Sequence, residues 1–146
     1  TSCAVQRVYR QLWRCLELSP QAGAATLIVV GYLVYGIGGV ANYMFDGPGS
    51  SSMKTEPSMG AIGVLELATA LLISIVYSHW ATIKTFMTGA KNGLWMGALL
   101  ALIVMLDYFA MTDVTSVQGV LIYMVTHAIV VGLAAGVIGL VLGKVK

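Results

Sequence analysis

The chain has 146 residues, of which 58% are hydrophobic and only 10% are charged, and its net charge is +2. Soluble domains carry about 25% charged residues because charge covers their water-facing surface, so this composition indicates an integral membrane protein. It argues against a disordered chain, a nucleic-acid-binding domain and a disulfide scaffold. The sequence carries no catalytic signature, so we do not expect an enzyme.

The first 20 residues predict an amphipathic helix that lies in the membrane interface. Apolar side chains recur there at helical spacing, while the arginines occupy the other side. The basic residues run through the segment instead of preceding an apolar core, which argues against a signal peptide. Ser19 and Pro20 are expected to end the helix. We predict an interfacial anchor for lipid phosphate or a partner subunit, formed by Arg7, Arg10, Trp13 and Arg14.

Four continuous apolar runs follow, and each is long enough to cross a bilayer as a helix. A span needs about 20 residues, because each residue adds about 1.5 Å across a hydrocarbon core of about 30 Å. We predict spans at residues 24–45, 60–82, 93–112 and 117–142. The predicted fold is all-α, an antiparallel four-helix membrane bundle over residues 21–146, preceded by the interfacial helix of residues 1–20. Thr115 and Gln118 have the spacing of a capping box for the fourth helix.

Positive charge is distributed unevenly between the two sides of this bundle. Seven of the eight lysine and arginine residues map to one side, and only Lys54 maps to the other. The positive-inside rule therefore places both termini in the cytoplasm. We expect a protein of a bacterial inner membrane or of an equivalent organellar membrane.

Three ionisable residues fall inside the predicted spans, where each costs about 2.5–3.5 kcal/mol on insertion scales. Glu66 and Asp107 lie about 9 Å below the non-cytoplasmic side, and His127 lies about 15 Å below it. We predict that they cluster with Asn42 and Tyr123 at the start of a proton or cation path. The alternative is that both carboxyl groups reach water at the interface and His127 only makes a hydrogen bond in the core.

Two histidines inside a membrane protein raise the question of a haem. His79 and His127 differ by about 13 Å along the membrane normal, whereas two axial ligands of one iron meet at one level. We expect no metal and no cofactor. Ligation of a pigment or haem by His79 or His127 alone stays open as an alternative.

Small residues repeat every four positions in the third and fourth spans. The repeats are Gly89, Gly93, Gly97 and Ala101 in one, and Ala128, Gly132 and Gly136 in the other. Such spacing lets helix backbones approach closely. Gly136 lies about 180° around the helix from His127, so the last helix has a small face and a polar face. We expect one face to pack inside the bundle and the other to meet a partner chain.

Residues 109–116, Phe-Ala-Met-Thr-Asp-Val-Thr-Ser, form the segment with a family resemblance. The segment resembles the Tyr-Ala-Thr-Tyr-Asp-Leu-Thr-Asn element of a small, uncharacterised family of four-helix bacterial membrane proteins. Gly93 and Gly97 also lie where that family has a glycine-rich third helix. Thr112 replaces its second aromatic residue, and His127 lies near the place of an acidic residue in its last helix. The family has no established activity, so the resemblance implies a fold and no function.

The sequence favours an accessory or structural subunit of a larger membrane complex, packing through its glycine-rich helix faces. Its expected partners are the lipid bilayer and other membrane subunits, and nucleic acid is not among them. The alternative is a small oligomeric proton or cation channel or transporter that uses Glu66, Asp107 and His127.

Overall fold

A computed structural model describes residues 18–52, 58–81 and 83–144 of the chain. Within these residues the chain is helical and contains no β-strand. Four helices are long and apolar enough to cross a membrane: α1 (Leu18–Ile37), α3 (Met59–His79), α4 (Phe86–Met111) and α5 (Val117–Lys144). The prediction of an all-α four-helix membrane bundle is therefore confirmed. The predicted interfacial anchor of Arg7, Arg10, Trp13 and Arg14 lies outside the described residues.

The first span ends at Ile37, well before the predicted residue 45. Its winding changes to that of a π-helix over Tyr32–Ile37. The chain then turns at Gly39, whose φ of 64° lies in the left-handed region that glycine adopts without steric cost. A separate short helix, α2 (Ala41–Met44), follows, and a 3₁₀ turn, Ser50–Ser52, lies in the loop beyond it. The predicted uninterrupted helix of residues 24–45 was wrong. The sequence stays apolar through the change of backbone conformation, so its composition did not reveal the break.

The other helix ends differ less from the prediction. Residues 18–20, assigned above to the interfacial segment, already belong to α1, and Ser19 is fully buried. In α3 the α-helical part, Met59–Val76, continues into a π-helical turn, Tyr77–Ala81. The helix α4 begins seven residues before the predicted residue 93, because Thr85 caps it by accepting a 3.3 Å hydrogen bond from the Thr88 backbone N–H.

The central helix of the bundle is α5. Half of the residues in its most apolar stretch are buried in the protein, whereas the corresponding share in each of the other three spans is 22% or less. The core joins α5 to α1 and α3 through buried apolar side chains: Ala24, Leu27, Ala70, Ile73, Tyr77, Ile83, Val130, Val131, Ala134, Ala135, Ile138 and Leu142. The outer faces of the other three spans carry exposed leucine, isoleucine and valine side chains, as a surface in contact with lipid requires.

The helices α4 and α5 pack antiparallel with their backbones in contact. A Cβ atom added at Gly97 would lie 2.7 Å from the Cβ of Val131 and 3.1 Å from the Cα of Ala128, and one at Gly93 would lie 3.1 Å from the Cα of Gly132. The two stripes of small residues therefore pack on each other within the chain.

The rest of the two stripes follows the same pattern. A Cβ atom added at Gly89 would lie 2.5 Å from the carbonyl oxygen of Ala135, and one at Gly136 would lie 2.6 Å from the Phe86 ring. The small face of α5 is thus occupied by α4. Its polar face meets α1, because Tyr123 lies beside Tyr35. The expectation that one of the two faces meets a partner chain stays a prediction.

The loop after α2 docks on the loop between α4 and α5. The backbone N–H of Gly47 donates to the carbonyl oxygen of Val114 at 3.2 Å, and that of Gly49 donates to the carbonyl oxygen of Asp113 at 2.9 Å. A Cβ atom at Gly47 would collide with the backbone of Asp113. Glycine is therefore required where the two loops meet.

The same loop contact completes the N-terminus of α5. Asp46 accepts hydrogen bonds from the Ser116 backbone N–H at 2.9 Å and from its hydroxyl at 2.7 Å. The Ser116 oxygen in turn accepts from the Gly119 N–H at 3.2 Å, so Ser116 is the capping residue. Thr115 instead donates to a carbonyl of α2. The predicted capping box of Thr115 and Gln118 was wrong, because the Thr115 hydroxyl is hydrogen-bonded to α2 and Ser116 caps the helix instead.

Candidate functional site

A groove between α1 and α3 contains a carboxyl group inside a predicted membrane span. Its volume is about 560 Å³, and Glu66 of α3, which is half-buried, forms part of its wall. The other walls are mostly apolar or aromatic and include Leu27, Ile28, Tyr32, Tyr35, Met59 and Ile62. We call this feature the α1–α3 groove. Among the described residues that line it, Glu66 is the only one with a carboxyl group.

Three rings lead from the groove towards α5. The ring centroids of Tyr35, on the groove wall, and Tyr123 are 6.1 Å apart. Tyr123 is stacked on His127 with a centroid distance of 4.9 Å and an interplanar angle of 19°. Glu66 and Tyr35 line the same groove. We call Tyr35, Tyr123 and His127 the ring array. It leads from the groove wall at Tyr35 to His127 on α5.

Two polar atoms of the ring array are buried without a hydrogen-bond partner among the described residues. They are the Tyr35 hydroxyl and the His127 Nδ1 atom. Thr126 is the nearest hydroxyl to consider for Tyr35, but no hydrogen bond of ordinary length joins the two, and the Thr126 hydroxyl donates to the carbonyl oxygen of Ile122 at 2.7 Å. A buried polar atom without a partner costs about 1–3 kcal/mol. Two such atoms in one array are therefore available to a proton, a water molecule or a ligand.

Helical periodicity correctly identifies the faces that carry Glu66 and His127. On α3 the face shared with Glu66 includes Ala70, Ile73 and Tyr77, which are all buried. On α5 the face shared with His127 includes Val130, which is also buried. Both groups thus project towards the bundle from neighbouring helices.

The structure does not bring Asp107 or Asn42 into this site. The side of α4 that packs on α5 carries Ala101 and Met105, which are 1% and 2% exposed, whereas Asp107 lies on the opposite side with Ile103, which is 67% exposed. Asp107 is also within about 6 Å of the helix end at 1.5 Å per residue, so it can reach interfacial water. Asn42 is exposed in α2, beyond the break in α1 that the sequence did not indicate.

Tyr35 is the member of the site that sequence reasoning missed. It lies in a glycine-rich part of the first span, a composition typical of helix packing. Its aromatic ring was the available signal, but its contact with Tyr123 depends on where α1 crosses α5. Tyr32–Ile37 is wound as a π-helix. The α-helical period of about 3.6 residues therefore does not predict which side of the helix carries Tyr35.

His79 lies apart from the ring array. It is exposed in the π-helical turn at the end of α3, and its Nδ1 atom is 2.9 Å from the Ser78 hydroxyl oxygen. Across the described part of the chain, no group of three or more histidine, cysteine, aspartate or glutamate residues is placed to hold a metal ion. His79 and His127 thus have different surroundings and do not form a common site.

No model of a known protein family, no curated protein and no solved structure matches the chain. The resemblance of residues 109–116 to a four-helix family stays a prediction. The loop part of that segment has a structural role here, since Asp113 and Val114 accept hydrogen bonds from the preceding loop. The α1–α3 groove and the ring array are therefore the features of the structure that bear on function.

Proposed function

We propose that the chain is a small membrane transporter in which Glu66 binds protons and cations in turn. The observation that carries the proposal is that Glu66 lines the α1–α3 groove together with Tyr35, the first ring of the array. Ionisable groups within a span cost about 2.5–3.5 kcal/mol and mark ion or proton pathways. Of the two unpartnered atoms, the His127 Nδ1 atom can accept a proton, and the Tyr35 hydroxyl can donate a hydrogen bond to a water molecule that relays it.

The backbone winding of the α1 wall supports the proposal that a bound ion moves through the groove. Tyr32, Tyr35 and Gly36 line the groove and belong to the π-helical segment. Such segments occur frequently at functional sites, and a return to α-helical winding shifts the side chains that follow. Gly39 allows the chain to turn directly after this segment. A change of winding would therefore alter access to Glu66 without disturbing the packing of α4 on α5.

Proton flux into proteoliposomes tests the proposal. Purified protein is reconstituted with an internal pH-sensitive dye, and a membrane potential is applied. We expect Glu66→Gln to reduce the flux at least tenfold, because the variant keeps the side-chain shape and removes the titratable charge. Asp107→Asn is the matched control, since Asp107 lies on the exposed side of α4, and it should retain the flux. A wild-type flux in Glu66→Gln would contradict the proposal.

An accessory subunit of a larger complex is the second candidate function. The glycine stripes of α4 and α5 no longer support it, because they pack on each other. The specific observation in its favour is on α3, where a Cβ atom added at Gly60 or Gly63 meets nothing within 4 Å. Small residues on an open helix face allow a helix of another subunit to approach closely. Extraction in mild detergent with mass spectrometry of the co-purified chains tests this: a partner lost in Gly63→Leu supports it, and a chain that purifies alone contradicts it.

We further propose that both termini lie in the cytoplasm of a bacterial cell or in the organellar equivalent. Seven of the eight lysine and arginine residues support this orientation. In it, the groove end that carries Glu66 is nearer the non-cytoplasmic side.

A further inference from the structure

We infer that the α1–α3 groove binds an organic cation with an apolar body, held by the charge of Glu66 and the rings of Tyr32 and Tyr35. The inference rests on the proposed function, because it names the class of cation that Glu66 binds. It follows from three properties of the groove: the number of its charged groups, the nature of its walls and the position of its aromatic rings.

The charged groups among the described residues of the groove are too few for a divalent metal ion. Hard cations such as Ca²⁺ and Mg²⁺ are held by about six or more oxygen ligands that replace their water. The α1–α3 groove offers one carboxylate, Glu66, within mostly apolar walls. An organic cation has no comparable requirement, because carbon substituents surround its charge and a single counter-charge balances it.

The size and the walls of the groove fit the apolar body of such a cation. A volume of about 560 Å³ lies within the range of about 300–1,000 Å³ that is typical of small-molecule sites. Leu27, Ile28, Met59 and Ile62 form apolar walls on both sides, where substituents of the ligand leave water. A lipid acyl chain also fits apolar walls, but it supplies no counter-charge when the Glu66 carboxyl group is ionised.

The aromatic rings of the α1 wall add a second attraction that is specific for a cation. A positive charge within about 6 Å of the face of a tyrosine ring is attracted by the ring's quadrupole. Tyr35 and Tyr32 both line the groove. Tyr35 is held between the groove and Tyr123, whereas Tyr32 is 60% exposed. The exposed ring of Tyr32 can therefore adjust over a ligand that Glu66 and Tyr35 position.

Binding of two nearly isosteric probes to the purified full chain tests the inference. Methyltriphenylphosphonium is cationic, and triphenylphosphine oxide is neutral with a similar shape. We expect the cation to bind at least tenfold more tightly than the neutral probe by isothermal titration calorimetry. Glu66→Gln should weaken only the cation, again at least tenfold, and Asp107→Asn should bind both probes like the wild type. Equal affinities for the two probes would mean that the groove selects apolar molecules regardless of charge. Undiminished cation binding in Glu66→Gln would mean that the charge of Glu66 does not hold the cation, and either result would overturn the inference.

A second variant keeps the inference testable if Glu66→Gln fails to fold. Tyr32→Ala keeps the carboxylate and removes an exposed ring, so it should lower the cation affinity about fivefold, as expected for a cation–π contact. An unchanged ratio of cation to neutral affinity in this variant would overturn the role of Tyr32. A proton flux that depends on Glu66, without cation binding, would refute this inference and leave the proposed transport intact. Binding of the cation at Glu66 without any flux would refute the transport and leave the site intact.

Discussion

The hydroxyl of Tyr77 donates a 2.7 Å hydrogen bond to the backbone carbonyl oxygen of Gly89. The bond joins the end of α3 to the first turns of α4, and Tyr77 is only 1% exposed. Because Gly89 also packs against Ala135 of α5, one side chain ties three helices together at this end of the bundle.

Removing the Tyr77 hydroxyl should lower the stability of the bundle. Tyr77→Phe keeps the ring in the core and removes one hydrogen bond, so we expect a loss of about 0.5–1.5 kcal/mol in the free energy of unfolding. Titration with a denaturing detergent in mixed micelles measures it. Tyr43→Phe is the control, because Tyr43 is 64% exposed and its change should have no effect. Equal losses in the two variants would contradict the role of the Tyr77 bond.

A larger side chain at Gly97 should separate α4 from α5. Gly97→Leu places carbon atoms where the backbone of Ala128 now lies, and such overpacking typically costs about 1–3 kcal/mol. We expect a lower thermal unfolding temperature in size-exclusion assays of the detergent-solubilised protein. Gly63→Leu, at an open position of α3, should leave the isolated chain unchanged. If both variants are as stable as the wild type, the close contact of the two helices is wrong.

The contact between the two loops should depend on pH through Asp46. Hydrogen bonds from the Ser116 hydroxyl and backbone N–H lower the pKa of the Asp46 carboxyl group below its ordinary value. A carboxylate with a lowered pKa stabilises the folded state above its unfolded pKa of about 3.9, and this stabilisation is lost as the pH falls through the folded pKa.

We therefore expect Asp46→Asn to lower the thermal unfolding temperature at neutral pH and to approach the wild type below about pH 4. Asp113→Asn is the control, because the backbone of Asp113 takes part in the loop contact. Its side chain makes no hydrogen bond among the described residues. A difference between Asp46→Asn and the wild type that persists unchanged in acid would show that the charge is not responsible.

The orientation argued from positive charge is open to a labelling experiment. Ser51 lies in the loop between α2 and α3, Lys84 lies between α3 and α4, and both are exposed. A membrane-impermeant thiol reagent added to intact cells should label Ser51→Cys and should spare Lys84→Cys, while permeabilised cells should label both. The reverse pattern in intact cells would place the termini outside the cytoplasm.

The sequence predicted the number of spans, the buried face of α3 and, through its stripe of small residues, the close-packed face of α4, but it wrongly placed Asp107 in the polar cluster. Lipid is as apolar as a protein core, so the apolar residues around Asp107 do not distinguish the two environments. Gly89, Gly93 and Gly97 did carry that information, since close backbone contact requires small residues. Read together with this stripe, Asp107 falls on the exposed side of α4.

The contacts that sequence reasoning missed, in the site and elsewhere, are those between distant parts of the chain. Tyr35 approaches Tyr123 because α1 crosses α5 at that level. Thr115 is recruited by a carbonyl of α2 at a separation of 71 residues, which overrides its local capping preference. Neither contact has a local pattern, so neither was predictable from spacing along one helix.

Covalent modification of Glu66 tests the central claim most directly. The lipid-soluble reagent dicyclohexylcarbodiimide reacts with protonated carboxyl groups, and peptide mass spectrometry measures the modified fraction at Glu66 and at Asp107. Proton flux is recorded in the same proteoliposomes. We predict that the flux falls in proportion to the modified fraction of Glu66 and does not follow that of Asp107. An undiminished flux in protein that is fully modified at Glu66 would contradict the account.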